Sequence, residues 1–166
     1  MAAAVRIFLT IERALTRAIL WAACLAMTVA VVAGAFQVIT RFLLERPATW
    51  TEALVRTALI WMVLLGLVAA IRSGALVSID LCHRLVKGPW KRLIETVHLV
   101  CTVGLMGITA WYGWTMAERV RFQTLAGLEI SIAWGYAAIP IGSALAIVAA
   151  IGQYLDRRNE ELDQAV

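Results

Sequence analysis

Between Arg17 and Arg41 the chain carries no charged residue. Positions 18–39 are 22 consecutive uncharged residues. As a helix they extend roughly 33 Å at about 1.5 Å per residue, enough to cross a hydrocarbon core of about 30 Å. A soluble domain of 166 residues has little use for such a run. Composition points the same way: apolar residues are 62% and charged residues 16%, against about 45–50% and about 25% in globular proteins. The solvent for most of this surface is therefore lipid. The 15 Lys and Arg residues punctuate the apolar runs, as in membrane-protein loops. A nucleic-acid binder would gather them on one face, so no nucleic-acid partner is expected. Ala33-Gly34-Ala35 imitates a signal-peptide cleavage site, but the apolar stretch is long for a signal and further spans follow it.

Three more spans are expected, at about 50–71, 93–117 and 130–151. Arg56 and Arg72 bracket an apolar stretch too short to cross alone, so the second helix must begin earlier. Thr49-Trp50-Thr51-Glu52 fits a capping box, with Thr49 as the cap and Glu52 reaching back to its backbone N–H. Arg56 follows Glu52 by four residues, which puts both on one helix face, where they can neutralise each other. Pro140 falls inside the fourth span, where a kink is expected. The basic residues flanking these spans divide ten to five: Arg6, Arg13, Arg17, Arg72, Arg84, Lys87, Lys91, Arg92, Arg157 and Arg158 face Arg41, Arg46, Arg56, Arg119 and Arg121. Both termini are therefore expected in the cytoplasm. Trp50, Trp111, Trp114 and Trp134 fall near the outer boundary and Trp21 and Trp90 near the inner one. Trp61 lies deep and reads as a packing residue. Residues 1–17 form an amphipathic pattern suited to the membrane interface, 76–86 a second such pattern, and 156–166 a polar tail. The whole chain, 1–166, is then one all-α membrane domain.

Catalytic chemistry finds little to work with. HExxH, Walker, GxGxxG and GxSxG patterns are absent. The two His residues, His83 and His98, cannot supply paired haem ligands within the membrane. The three Cys residues, Cys24, Cys82 and Cys101, form no CxxC pair. No catalytic, substrate-binding or metal site is expected, and no cofactor. A substrate site in a transporter needs convergent polar groups near mid-membrane. The candidates are Thr28, Thr102, Thr109 and Ser143, all uncharged and each inclined to bond its own helix backbone. Small-residue stripes are better developed. Gly135, Ala138, Gly142, Ala146 and Ala149 line one face of the fourth span, and Ala22, Ala26, Ala30 and Ala33 one face of the first. Such stripes let helices approach closely, within this chain or against a partner.

The run Phe36-Gln37-Val38-Ile39-Thr40-Arg41-Phe42, then Trp50-Thr51-Glu52, Arg56, Trp61, Gly66, Arg72-Ser73-Gly74 and Ile79-Asp80, resembles one family closely. This is the DctQ-like small transmembrane subunit of the tripartite ATP-independent periplasmic (TRAP) transporters. Trp134-Gly135-Tyr136-Ala137-Ala138-Ile139-Pro140-Ile141-Gly142 is similar to that family's final span. The chain departs from the pattern at Leu76-Val77, where the family often has a His, and at Ile132-Ala133, where a Pro often precedes the tryptophan. The resemblance implies a non-catalytic scaffold in the bacterial inner membrane. It would pack beside a large permease subunit that holds the sodium and substrate sites, and serve uptake of an organic acid delivered by a periplasmic binding protein. Trp50, Thr51, Glu52, Arg56, Arg72, Asp80, Pro140 and Gly142 are the residues it marks as motif or interface. Two other readings stand beside it: a self-sufficient small transporter, disfavoured by the lack of a carboxylate in the first span, and the membrane anchor of a redox complex, disfavoured by the His count.

Overall fold

A computed structural model describes residues 2–45, 48–73, 89–125 and 130–163, with side chains for 9–45, 48–73, 93–125 and 130–156. The second amphipathic pattern at 76–86, with Asp80, lies outside the described residues. The elements are α1 (Ala2–Phe42), α2 (Thr49–Ser73), α3 (Pro89–Arg119), the single turn α4 (Ala133–Tyr136) and α5 (Ala138–Asp163). Among the described residues, four helical segments are long and apolar enough to cross a membrane: Leu9–Phe42, Thr49–Ser73, Leu93–Arg119 and Ala133–Asp156. The protein is an all-α membrane protein. Two segments differ from the expected layout. No proline interrupts α1, so the N-terminal amphipathic pattern is not a separate helix but the opening turns of one 41-residue helix. In the last span the ladder is interrupted at Ala137, three residues before the proline. Pro140 has no N–H to donate to the carbonyl four residues back, and it occupies the first turn of α5, where that bond is least missed. Ala137 keeps helical angles (φ −61°, ψ −24°). Its N–H bonds Ala133 O at 2.7 Å and its carbonyl accepts from Ile141 N at 3.3 Å, so the chain stays helical through the interruption.

The helices pack in the order α1, α2, α5, α3. The first two form an antiparallel pair, with Phe36 against Trp50 at one end (ring centroids 5.9 Å apart) and Glu12 against Arg72 at the other. These are called here the Trp50 end and the Arg72 end. The core joins Ile19 and Ala23 of α1, Leu65, Val68 and Ile71 of α2, and Ala146, Ala149 and Ala150 of α5. Along α1 the covered residues recur at alternating steps of four and three: Glu12, Thr16, Ile19, Ala23, Ala26, Ala30, Ala33, Gln37 and Thr40. That is the 3.5-residue period of a left-handed coiled seam. It corrects one member of the expected stripe. Ala22 points outward and Ala23 takes its place, because two successive steps of four, from Ala22 to Ala30, overshoot a 3.5-residue repeat.

The small residues of the last span form the seam against α2. A Cβ on Gly142 would stand 2.9 Å from Leu64 Cβ, and one on Gly135 3.9 Å from Ile60. Ala138 and Ala146 are fully covered and Ala149 nearly so. The third span is attached differently. It packs on α4 and α5, closest at Gly113, whose added Cβ would fall 2.5 Å from Ile139 Cγ2. Among its described side chains none is fully covered apart from that glycine. Between α3 and α4 the chain turns back on itself through Leu125 N–Ile130 O (2.8 Å) and Ile132 N–Gln123 O (2.9 Å).

Candidate functional site

At the Arg72 end four charged side chains from three helices meet. Arg72, in the last turn of α2, donates from Nε to Glu12 Oε2 on α1 (2.6 Å) and from Nη2 to Asp156 Oδ2 on α5 (2.8 Å). Arg13 donates to both oxygens of Asp156, at 2.6 and 2.8 Å. The Thr16 hydroxyl donates to the other oxygen of Glu12 at 2.9 Å. Two carboxylates and two guanidinium groups leave the set neutral. Burial is graded: the Glu12 side chain is 2% exposed, Arg72 14%, Asp156 19% and Arg13 59%. Gly152 makes room for the carboxylate, since a Cβ there would meet Glu12 Cδ at 2.8 Å. A closed and neutral set of this kind ties helices together. Arg72 was marked by the sequence; Glu12, Asp156 and Gly152 were not.

The motif residues at the other end divide between covered and uncovered faces. Thr51 is fully buried, and its hydroxyl donates to Ala48 O at 2.6 Å. It, and not Thr49, supplies the hydroxyl bond at this helix start, because α2 takes Thr49 into its first turn. Trp50 is partly exposed and, with Phe36, Val32 and Leu54, lines an open apolar groove between α1 and α2. Arg56 Nη2 donates to Glu52 Oε1 at 3.1 Å, with side chains 70% and 66% exposed. The two therefore meet, but on the outside of the fold. They continue into Leu59 and Val63, both exposed, as an uncovered stripe at steps of four, three and four.

Trp61 is half-covered, and its indole N–H donates to Trp134 O at 3.1 Å. Trp134 belongs to the short turn α4, whose carbonyls run out of helical partners at the Ala137 interruption. A residue expected only to pack thus also supplies a donor at the proline break. The hydroxyls considered for a mid-membrane site mostly turn back on their own helices. Thr28 donates to Cys24 O (3.0 Å) and Thr109 to Leu105 O (2.8 Å), while Thr102 lies 3.4 Å from a ring nitrogen of His98. Ser143 is 1% exposed, and its hydroxyl finds no partner. Among the described residues no group of three His, Cys, Asp or Glu is placed to hold a metal ion.

Comparison with known proteins places these features in a family context. Residues 30–159 match the family model described as tripartite ATP-independent periplasmic transporters, DctQ component. The chain is also 28% identical over 113 residues to the sialic acid TRAP transporter small permease protein SiaQ of Vibrio cholerae. That match covers 68% of this chain and 65% of the relative's length.

Proposed function

The chain belongs to the DctQ component family of tripartite ATP-independent periplasmic transporters, and on that footing we propose that it is the small permease subunit of such a transporter. In this reading it is a multi-pass protein of the bacterial inner membrane with both termini in the cytoplasm. It packs against a large permease subunit, which carries sodium coupling and the substrate path, and it needs no cofactor of its own. A periplasmic binding protein delivers the substrate, an organic acid. The observation that supports a scaffold over a carrier is where the polar groups go. Among the described residues, buried Glu12 bonds Arg72, and Arg72 bonds Asp156 as well, at one end of the molecule. Thr28 and Thr109 hydroxyls are spent on their own helices, whereas a substrate site needs convergent polar groups at mid-depth.

The test is reconstitution. Purified alone in proteoliposomes, the chain should move no organic acid under a sodium gradient. With the large subunit it should form a stable one-to-one pair, and uptake should begin when the binding protein is added. Sodium-dependent uptake by the chain alone would overturn the scaffold reading and restore that of a small self-sufficient transporter.

A further inference from the structure

The uncovered stripe on α2 is unlike the other uncovered surfaces in that half of the molecule. Short of the helix ends, the outward faces near the Trp50 end are apolar or aromatic: Val31, Val32 and Phe36 on α1, Leu105, Ile108 and Trp111 on α3, and Ile141 on α5. Acyl chains cover such faces at no cost. On α2 the outward face instead carries Arg56, seven residues inside the helix start, joined to Glu52 of the first turn and standing above Leu59 and Val63. Its depth follows from the other end. Arg56 precedes Arg72 by 16 residues, about 24 Å along a helix. If the Arg72 cluster marks one boundary of a core of about 30 Å, Arg56 lies several ångströms inside the other. Glu52, 20 residues before Arg72, stands at about that boundary by the same measure, so the cost of facing lipid falls on Arg56, whose charge is expensive to hold at that level. The pair is also incomplete. One guanidinium N–H meets one carboxylate oxygen, which leaves most of a five-donor fork and a second oxygen open.

We propose that the stripe Glu52–Arg56–Leu59–Val63 is the face that docks the large permease subunit, through a membrane helix that brings at least one hydrogen-bond acceptor to Arg56. This rests on the small-subunit reading and extends it by assigning the contact face. The neighbouring helix packs on Leu59 and Val63, and its polar group completes the guanidinium fork in a site from which lipid is excluded. The small-residue seam does not serve this contact, being occupied already between α2 and α5.

The experiment uses the chain with Cys24, Cys82 and Cys101 replaced by serine and a nitroxide placed at Leu59→Cys, Val63→Cys or Ile108→Cys. Oxygen accessibility is read in lipid discs with and without the large subunit. On pairing, the labels at 59 and 63 should lose oxygen accessibility several-fold while that at 108 is unchanged. A charge swap, Glu52→Arg with Arg56→Glu, preserves the internal pair and reverses what a partner meets. It should lower pairing affinity by about tenfold or more. Val63→Trp, which leaves the ion pair intact, should also weaken pairing and guards against a swapped chain that fails to fold. If the pair forms with 59 and 63 still open to oxygen, or the swapped chain and Val63→Trp pair as tightly as the native one, the assignment is wrong and Arg56 serves only Glu52 or a lipid phosphate. If no pair forms with the native chain, the small-subunit reading fails and takes the assignment with it.

Discussion

Glu12 is a carboxylate with 2% of its side chain exposed, and its partner Arg72 lies 60 residues away. Removing Arg72 strands Glu12, and an uncompensated buried charge costs about 3–5 kcal/mol, whereas Arg72 without Glu12 would keep Asp156. Arg72→Gln should therefore lower the thermal stability of the detergent-solubilised chain far more than Arg13→Ala, whose guanidinium is 59% exposed and whose loss should cost about 1 kcal/mol or less. Glu12→Gln combined with Arg72→Gln should be less damaging than the two single losses added together, because the pair is coupled. Equal melting temperatures for Arg72→Gln and Arg13→Ala would show that the cluster is incidental. This site was barely legible in the sequence. Arg72 was marked by its motif, but a lone Glu in an amphipathic opening and an Asp at the edge of a polar tail give no local sign of meeting. The Glu52–Arg56 contact, by contrast, was legible from its four-residue spacing, since both partners ride one helix.

At the scale of the helix, how well the sequence could be read tracks periodicity. The spans were recognisable because uncharged runs of such length admit few alternatives, and the small seam of α5 because its spacing stays in step. The separation of the N-terminal segment from the first span was a reading of charge, and charge does not break a helix: without Pro, α1 simply continues. Carried back along the same four-three rhythm, that helix places Glu12 on the seam, and this was the one signal that could have found it. Close approach separates the glycines further. Gly113 has Ile139 Cγ2 at 2.5 Å from where a Cβ would stand, while Gly104 has nothing within 4 Å. Gly113→Ala should destabilise the chain by about 1–3 kcal/mol through overpacking between α3 and α5. Gly104→Ala on the same helix should be neutral or stabilising by up to about 1 kcal/mol. Thermal unfolding followed by circular dichroism distinguishes them, and a reversed order would contradict the packing of α3 on α5.

For the whole molecule, the basic-residue distribution sets a direction that a thiol reagent can read. Cys82 lies between the second and third spans among Arg84, Lys87, Lys91 and Arg92, so a membrane-impermeant maleimide should label it only after the cytoplasmic face is opened. Labelling in intact spheroplasts, lost in Cys82→Ser, would reverse the proposed orientation. The ionic cluster also gives the molecule a sequence in time. Asp156 is made 84 residues after Arg72, which at about 5–20 residues per second is roughly four to seventeen seconds of synthesis. Through that interval Glu12 alone must balance Arg72 and Arg13, so the nascent chain holds one more positive charge there than negative. Arrival of the last span closes the count. A ribosome that stops short of Asp156 leaves that surplus in place, and the four-residue cluster first becomes neutral when Asp156 docks against Arg13 and Arg72.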